Sequence, residues 1–278
     1  MKTAWIFPGG SARAVYTAGV IYALSEMNLP KPDIIIGCSG SGPTSLCYLS
    51  SQREIIKNVW CESLSDGNFL SFKRFWRIMD INYLVDFLLK KKFTLNVKGI
   101  KDSTITAYMP VTDSLTGEIK YFSNKMDIDI LEVARASVSV PFWTNLFSTR
   151  GVSINGRYYS DCPPAARFQL HTKKAISEGA TRVIVFDNWH GEDNPSGYFF
   201  SKLFIRFMKN RKFRERQMEY FKEINSFEEP KDINFHIFSP IRKLAMSRWN
   251  DDGGNAKKVF DRGYNETINN KKLLEIYK

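Results

Sequence analysis

The sequence predicts an α/β fold in which helices cover both faces of a largely parallel sheet. Apolar, strand-like runs alternate with segments of helical spacing along most of the chain, an order typical of parallel sheets. Two of the strands end in turns of small residues that lead directly into a helix, at residues 8–13 and 37–41. Such turns often carry functional groups, so they are the first candidates for a site.

The predicted elements follow each other with short connections. The first strand is expected at residues 2–7, and apolar residues then recur at helical spacing from Val15 to Leu24. Further strands are expected at residues 104–109, 120–123, 182–186 and 234–238, helices at residues 128–137 and 172–178, and a hairpin loop at residues 113–118. Gly179 is expected to close the second of these helices at its C′ position.

A β-hairpin is predicted around Asn155-Gly156, a dipeptide typical of two-residue hairpin turns. The flanking runs are Val152-Ser153-Ile154 and Arg157-Tyr158-Tyr159. The second strand of this hairpin leads to Asp161, which stands shortly before two prolines. An aspartate in that position is commonly only a turn former.

Ser39 lies in the turn that follows the apolar run at residues 33–36. Its neighbours in the turn are Gly37, Cys38, Gly40 and Ser41. A serine held at a strand-to-helix elbow projects above the sheet edge, where its hydroxyl can attack a substrate. Small neighbours are needed because the strand and helix backbones pass close together. A plain Gly/Ser-rich loop is the other interpretation of the same residues.

The first small-residue turn is a candidate anion site. It contains Gly9, Gly10, Ser11, Ala12 and Arg13 and precedes a predicted helix. A helix N-terminus presents free backbone N–H groups with a favourable dipole behind them. Neither G-x-x-x-x-G-K-[ST] nor G-x-G-x-x-G is present, which disfavours phosphate. Beside a serine elbow, the loop is better suited to the oxyanion that forms when a serine attacks an ester.

The chain resembles the patatin-like phospholipase family at four places that occur in family order. The matches are Gly9-Gly10-Ser11-Ala12-Arg13-Ala14 for the oxyanion block, Gly37-Cys38-Ser39-Gly40-Ser41 for the nucleophile elbow, residues 134–141 for an A-R-A-S-x-x-x-P helix end, and residues 155–161 for the approach to the catalytic aspartate. They cover about residues 2–190, and the remainder is more loosely similar to a bacterial branch. The resemblance implies a three-layer α/β/α fold and a single domain over residues 1–278, helical and less typical from about residue 195.

The resemblance further implies a lipid acyl hydrolase, of lipase or phospholipase A type, with a Ser–Asp dyad. Ser39 would be the nucleophile, and Asp161 the general base for the serine and then for the water that clears the acyl-enzyme. Backbone N–H groups of Gly10, Ser11 and Ala12 are the expected oxyanion donors. Apolar walls around Asp161 are expected to raise its basicity. No metal or organic cofactor is implied.

Four residues depart from the family pattern, since Ser11, Ala14, Ser41 and Cys162 stand where glycines are expected. A non-glycine residue held at positive φ costs about 1–2 kcal/mol. A catalytically impaired lipid- or membrane-binding protein therefore remains the alternative to an active hydrolase.

A histidine-dependent triad is a second alternative. His190 or His236 would follow Ser39 and an acid in the chain order of α/β-hydrolases. His236 falls in a predicted apolar strand, where a structural role is favoured, and His190 in a polar loop. The remaining histidine is His171.

Composition limits the classes of partner. With 278 residues and 43% hydrophobic content, the chain can bury a large core. It has no apolar run of membrane-spanning length and no signal-peptide pattern, and the spacing of Cys38, Cys47, Cys61 and Cys162 predicts reduced thiols in the cytoplasm. The net charge of +11 favours attraction to an anionic membrane surface. Nucleic acid is not expected, because no basic segment has the form of a reading module.

Two segments combine aromatic and basic residues at helical spacing, residues 72–92 and 199–216. Amphipathic helices of this kind can lie in an anionic membrane interface, although two ordinary packed helices would have the same pattern. The substrate stays open among phospholipid, lysophospholipid, neutral glyceride and thioester, and so does the oligomeric state.

Overall fold

One sheet of eight strands organises the protein. A computed structural model describes residues 1–64, 67–190, 201–203, 205–208, 210–244 and 253–277. The strands are β1 (Thr3–Phe7), β2 (Ile34–Gly37), β3 (Thr106–Asp113), β4 (Ile119–Ser123), β5 (Val152–Ile154), β6 (Arg157–Ser160), β7 (Arg182–Phe186) and β8 (Asn234–Phe238). Their order is β5-β6-β3-β2-β1-β7-β8, with β4 paired to β3 outside this path.

The central part of the sheet is parallel. β3, β2, β1, β7 and β8 run in one direction, whereas β4 and β6 are antiparallel to β3. The middle strands are buried along nearly their whole length, as expected for parallel strands that are covered on both faces. The predicted α/β class with a largely parallel sheet is confirmed.

Helices cover both faces of this sheet. They are α1 (Ala14–Glu26), α2 (Ser41–Leu49), α3 (Arg53–Lys57), α4 (Val97–Asp102), α5 (Ile130–Ser137), α6 (Phe168–Ser177), α7 (Arg211–Asn225), α8 (Gly253–Ile268) and α9 (Lys271–Ile276), with wider π-helical turns at Asn58–Ser63 and Tyr83–Lys92. Trp5 and Ile35 face a core shared with α1, α2, α5 and α8, whereas Ile6 and Ile36 face a second core with α6. None of the helices in the described ranges is long and apolar enough to cross a membrane.

Most predicted elements form at the expected positions. The strands at residues 182–186 and 234–238 match their predicted bounds. β3 extends further, to Asp113, because its last residues pair with β4 and β6. Asn155 and Gly156 both have positive φ, at 49° and 77°, as a two-residue hairpin turn requires.

The helix predicted at residues 72–79 is wrong. Leu70 and Met79 pair as an antiparallel bridge, and the amide of Ser71 donates to the Ile78 carbonyl at 2.9 Å, so the segment is a hairpin loop. Its aromatic side chains face outward, and the apolar spacing therefore marks no buried helix face. The next part of the segment is helical over Tyr83–Lys92, with Leu88 buried. In the second basic segment, Phe199, Phe200, Phe204 and Lys209 lie outside the described residues.

The long helix α8 crosses α1 in close backbone contact. A Cβ atom on Gly263 would lie 2.2 Å from the Tyr16 carbonyl oxygen, and one on Gly19 would lie 2.1 Å from the Phe260 carbonyl oxygen. The Tyr16 hydroxyl donates to Glu266 at 2.8 Å across the same contact. Because α1 begins directly after the loop at residues 8–13, α8 helps to fix the position of that loop.

We expect Gly263→Ala to lower the free energy of unfolding by about 1–3 kcal/mol, because the added methyl group has no room against the α1 backbone. Urea denaturation of both proteins measures the change. Asn265→Ala, on the exposed side of the same helix, is the matched control and should leave stability within about 0.5 kcal/mol of wild type. Equal stability of the two variants would contradict the close crossing.

Candidate active site

The sheet topology brings the ends of β2 and β6 together. β4 lies along one edge of β3, and β2 and β6 share the other edge. β2 pairs with residues 106–108 of β3, and β6 pairs with residues 112–113. β2 runs parallel to β3 and β6 runs antiparallel to it, so the carboxyl ends of β2 and β6 point toward each other. Ser39 follows one of these ends and Asp161 follows the other.

Ser39 and Asp161 are in direct contact. The Ser39 hydroxyl donates to Oδ2 of Asp161 at 2.6 Å, and both side chains are buried. Ser39 has φ of 52°, a left-handed conformation that non-glycine residues rarely adopt and that is typical of a nucleophile elbow. The amide of Asp161 donates to the carbonyl of Ser139 at 2.8 Å. Because Ser139 lies just after α5, this bond fixes the aspartate backbone relative to that helix.

The glycine-rich loop lies against this pair. A Cβ atom on Gly9 would be 2.6 Å from Cβ of Ser39, so only glycine lets the two backbones approach. The N–H of Gly9 is occupied by the Ala166 carbonyl at 2.9 Å, and that of Arg13 by the Gly10 carbonyl at 3.1 Å. In the part of the chain that the structure describes, the N–H groups of Gly10 and Ser11 donate to no other group. These two amides therefore have no partner within the described residues.

Asn188 holds the loop in place, and the sequence analysis did not single it out. It follows β7 and is fully buried. Its amide nitrogen donates to the Pro8 carbonyl at 3.2 Å, the Gly9 carbonyl at 3.5 Å and the Thr17 hydroxyl at 3.1 Å. The loop is thereby tied to the first turn of α1. The available signal was the polar run that begins immediately after the apolar strand β7.

A charged cluster lies beside Asn188. Burial raises the pKa of Asp187 to about 6, an effect that the positive charges of Arg167 and Arg13 oppose. Both guanidinium groups also lie over the Trp189 ring, at 3.9 Å for Arg13 and 4.6 Å for Arg167 from the ring centre. Arg13 thus packs against this cluster with its side chain, while its amide is used within the loop.

Of the four residues that stand where the family pattern has glycine, one adopts a backbone conformation that favours glycine. Ser11 has φ of 53°, whereas Ala14 and Ser41 lie in α1 and α2 and Cys162 is extended with φ of −112°. The Ser41 hydroxyl donates to the Pro8 carbonyl at 2.8 Å and so joins the elbow to the glycine-rich loop. Backbone strain at these positions is therefore confined to Ser11.

The cysteines next to the dyad are buried thiols. Burial raises the pKa of Cys162 to about 12 and that of Cys38 well above its ordinary value. All four cysteines are free of disulfide bonds. In the described ranges, no group of three His, Cys, Asp or Glu residues is arranged to hold a metal ion.

None of the three histidines forms a hydrogen bond with Ser39 or Asp161. His171 is fully buried, with Nδ1 at 2.9 Å from the Tyr121 hydroxyl and Nε2 at 2.9 Å from the Ala165 carbonyl. Nδ1 of His190 lies 2.8 Å from the Pro240 carbonyl. His236 lies on β8, which β1 and β7 separate from β2.

Replacing Ser11 and Ser41 by glycine should change the free energy of unfolding in opposite directions. We expect Ser11→Gly to raise the free energy of unfolding by up to about 1 kcal/mol, because relief of the left-handed strain exceeds the extra chain entropy of glycine. Ser41→Gly, the comparison variant, should lower it by about 1–3 kcal/mol, because a helical position loses both propensity and a buried hydrogen bond. Chemical denaturation measures both, and destabilisation by Ser11→Gly would contradict this assignment of strain.

His171 should make stability depend on pH. Burial lowers its pKa to about 4 from an ordinary value near 6.5. Between these two pKa values, His171 is protonated in the unfolded chain but still neutral in the folded protein. The free energy of unfolding therefore decreases as the pH falls from about 6.5 to about 4. We expect wild type to lose about 2–3 kcal/mol more than His171→Phe between about pH 7 and about pH 4.5. Denaturant titrations at both pH values test this, and equal losses would refute it.

Comparison with known proteins identifies the family of the chain. The family model for patatin-like phospholipase matches residues 6–162. Among solved structures, the crystal structure of VipD from Legionella pneumophila is similar in fold, with a TM-score of 0.51 and 11% sequence identity over 99% of this chain and 67% of that chain. A search of curated proteins gave no match. Since the family model spans more than half of the chain, from β1 to just beyond Asp161, the protein belongs to the patatin-like phospholipase family.

Proposed function

We propose that the protein hydrolyses acyl esters of lipids through a dyad of Ser39 and Asp161. The family supports lipid acyl hydrolase activity in general terms. The observation that carries the specific proposal is the 2.6 Å hydrogen bond from the Ser39 hydroxyl to Asp161 Oδ2, beside a loop with two free amides. A nucleophile, a base and hydrogen-bond donors for the developing charge are the three groups that ester hydrolysis by a serine requires.

In the first half of the proposed reaction, Oγ of Ser39 attacks the ester carbonyl carbon as its proton passes to Oδ2 of Asp161. The carbonyl oxygen becomes an oxyanion that accepts hydrogen bonds from the amides of Gly10 and Ser11, at the positive end of the α1 dipole. The tetrahedral intermediate then collapses, the ester C–O bond breaks, and Asp161 returns the proton to the leaving alkoxide. An acyl-enzyme on Ser39 remains.

In the second half, Asp161 takes a proton from a water molecule, which attacks the acyl carbonyl. Collapse releases the fatty acid, and Ser39 recovers its proton from Asp161. The burial of both side chains supports this route, because bulk water is kept from competing for the serine proton. Ala12, the third predicted donor, lies in the 3-10 turn Ser11–Arg13 that leads into α1, and its backbone amide is kept in the proposal.

The domain organisation is part of the proposal. We infer that residues 1–278 form one acyl hydrolase domain, in which the part after residue 195 completes the same cores. Two observations support this: β8 pairs with β7 in the central sheet, and Phe260 of α8 belongs to the core that contains Trp5.

An impaired lipid-binding protein is the second candidate. The observation that favours it is Ser11, whose left-handed conformation in the oxyanion loop is one that glycine adopts without strain. A small displacement of that amide would weaken oxyanion binding without preventing the protein from binding lipid.

Labelling with a fluorophosphonate probe separates the two candidates. We expect wild type to be labelled and Ser39→Ala to be unlabelled. Asp161→Asn should lower kcat/KM for a soluble ester by about 10²–10⁴-fold, because the general base is lost. His190→Ala is the matched control and should keep wild-type activity. Absence of labelling in wild type would favour the impaired protein, and loss of activity only in His190→Ala would favour the triad.

The proposed site of action is an anionic membrane surface. The net charge of +11 supports this, because basic proteins are attracted to the negative potential of anionic lipid surfaces. No nucleic-acid partner is proposed.

A further inference from the structure

Two neighbouring loops expose a cluster of large apolar side chains. The first is the hairpin loop between Leu70 and Met79, and the second follows α5, over residues 139–151. The exposed fractions are 61% for Phe72, 62% for Phe75, 48% for Trp76, 42% for Leu146 and 83% for Phe147. A group of exposed aromatic residues of this size is uncommon on a surface that faces only water and is typical of a binding surface. These five side chains are called the aromatic surface below.

The two loops form one continuous surface. The amide of Met79 donates to the Trp143 carbonyl at 2.9 Å, and the amide of Leu146 donates to the Trp76 carbonyl at 3.0 Å. The rings of Phe72 and Trp143 meet edge to face, with 5.9 Å between their centres. The exposed side chains are therefore held on an ordered backbone and not on two independent loops.

The charge around the aromatic surface is positive. Residues 67–79 and 139–151 contain no Asp or Glu, and they carry Lys73, Arg74, Arg77 and Arg150. The neighbouring carboxylate, Asp80, pairs with Arg77 at 3.0 Å and with Arg74 at 3.7 Å. Aromatic side chains flanked by basic ones match the interface of an anionic bilayer, where rings enter the headgroup layer and cations meet lipid phosphate.

The aromatic surface is joined to the active site by the second loop. That loop begins at Ser139, whose carbonyl holds the amide of Asp161. It ends at Gly151, where a Cβ atom would lie 2.1 Å from the Tyr159 carbonyl oxygen of β6, two residues before Asp161. A partner bound to the aromatic surface is therefore next to the elements that carry the dyad.

We infer that the aromatic surface docks the protein on anionic phospholipid bilayers and places Ser39 at the lipid–water interface. The docking itself stands on the two loops, whereas delivery of an ester to Ser39 rests on the proposed function. A bilayer fits this surface, because basic side chains flank the aromatic ones and the neighbouring Asp80 is already paired with Arg77 and Arg74, so the surface complements a layer of lipid phosphate.

Vesicle binding by proteins that carry Ser39→Ala tests docking without interference from hydrolysis. The probes are vesicles of phosphatidylcholine with and without phosphatidylglycerol. We expect Phe75→Ala combined with Trp76→Ala to reduce partitioning at least about tenfold, and Phe147→Ala to reduce it in the same direction. Lys73→Glu should reduce partitioning about tenfold on the anionic vesicles alone.

The matched control combines Met126→Ala with Ile176→Ala. Met126 follows β4 and Ile176 precedes β7, so both lie near the amino-terminal end of the parallel strands, whereas Ser39 lies at their carboxyl end. Their side chains are exposed by 42% and 36%. This control should partition onto vesicles as strongly as the protein that carries Ser39→Ala alone. With Ser39 restored, all of these variants should keep wild-type kcat/KM on a soluble short-chain ester, while the variants of the aromatic surface lose hydrolysis of vesicle lipid.

Several results would overturn the inference. One is unchanged partitioning of the aromatic variants, and another is no vesicle binding by the Ser39→Ala protein itself. A third is a loss of soluble-ester hydrolysis equal to the loss of vesicle-lipid hydrolysis, which would show that the loops shape the catalytic site. A dimer that dissociates in the aromatic variants, without vesicle binding, would assign the surface to a second copy of the chain. Vesicle binding that depends on the aromatic surface, with no ester hydrolysis by wild type, would keep the docking surface and reject the hydrolase. Circular dichroism of Lys73→Glu and Phe147→Ala, both single exposed changes, verifies folding.

Discussion

The arrangement of the site depends on how β2 and β6 share one edge of β3. The two strands approach from opposite directions, so residues 39 and 161 meet although four of the eight strands lie between them in the sequence. Side chains alternate between the faces of a sheet, and a slip of β6 by one residue would turn Asp161 away from Ser39. The close contact of Gly151 with the Tyr159 carbonyl and the bond from the Asp161 amide to Ser139 both hold that register.

Two residues with a strained, left-handed backbone lie where the chemistry is proposed. Ser39 and Ser11 both have φ near 50°, and they lie on the two turns that face each other across Gly9. Such conformations persist only where surrounding contacts fix the backbone. Here those contacts converge on the Pro8 carbonyl, which accepts from both the Ser41 hydroxyl and the Asn188 amide. The elbow, the glycine-rich loop and the end of β7 are thus one hydrogen-bonded unit.

The sequence was sufficient for the elements but not for all contacts between them. Short apolar runs located β7 and β8, and the Asn155-Gly156 turn located the β5–β6 hairpin, because these signals are local. The pairing of Ser39 with Asp161 came from a family resemblance, since no local pattern encodes the order of strands in a sheet. The role of Asn188 and the use of the Gly9 amide by Ala166 depend on distant parts of the chain. The helix prediction at residues 72–79 was wrong because aromatic side chains that face outward from a hairpin loop happen to have the spacing of a buried helix face.

The crossing of α1 and α8 has a consequence for the order of assembly. Gly19 and Gly263 belong to opposite ends of the described sequence, and their contact fixes the helix that directly follows the glycine-rich loop. A contact between residues so far apart in sequence is costly to form early, because it closes a long loop of chain. During synthesis, this contact between α1 and α8 can form only after residues 253–268 have left the ribosome. A nascent chain that already contains both Ser39 and Asp161 therefore still lacks the helix contact that supports the glycine-rich loop.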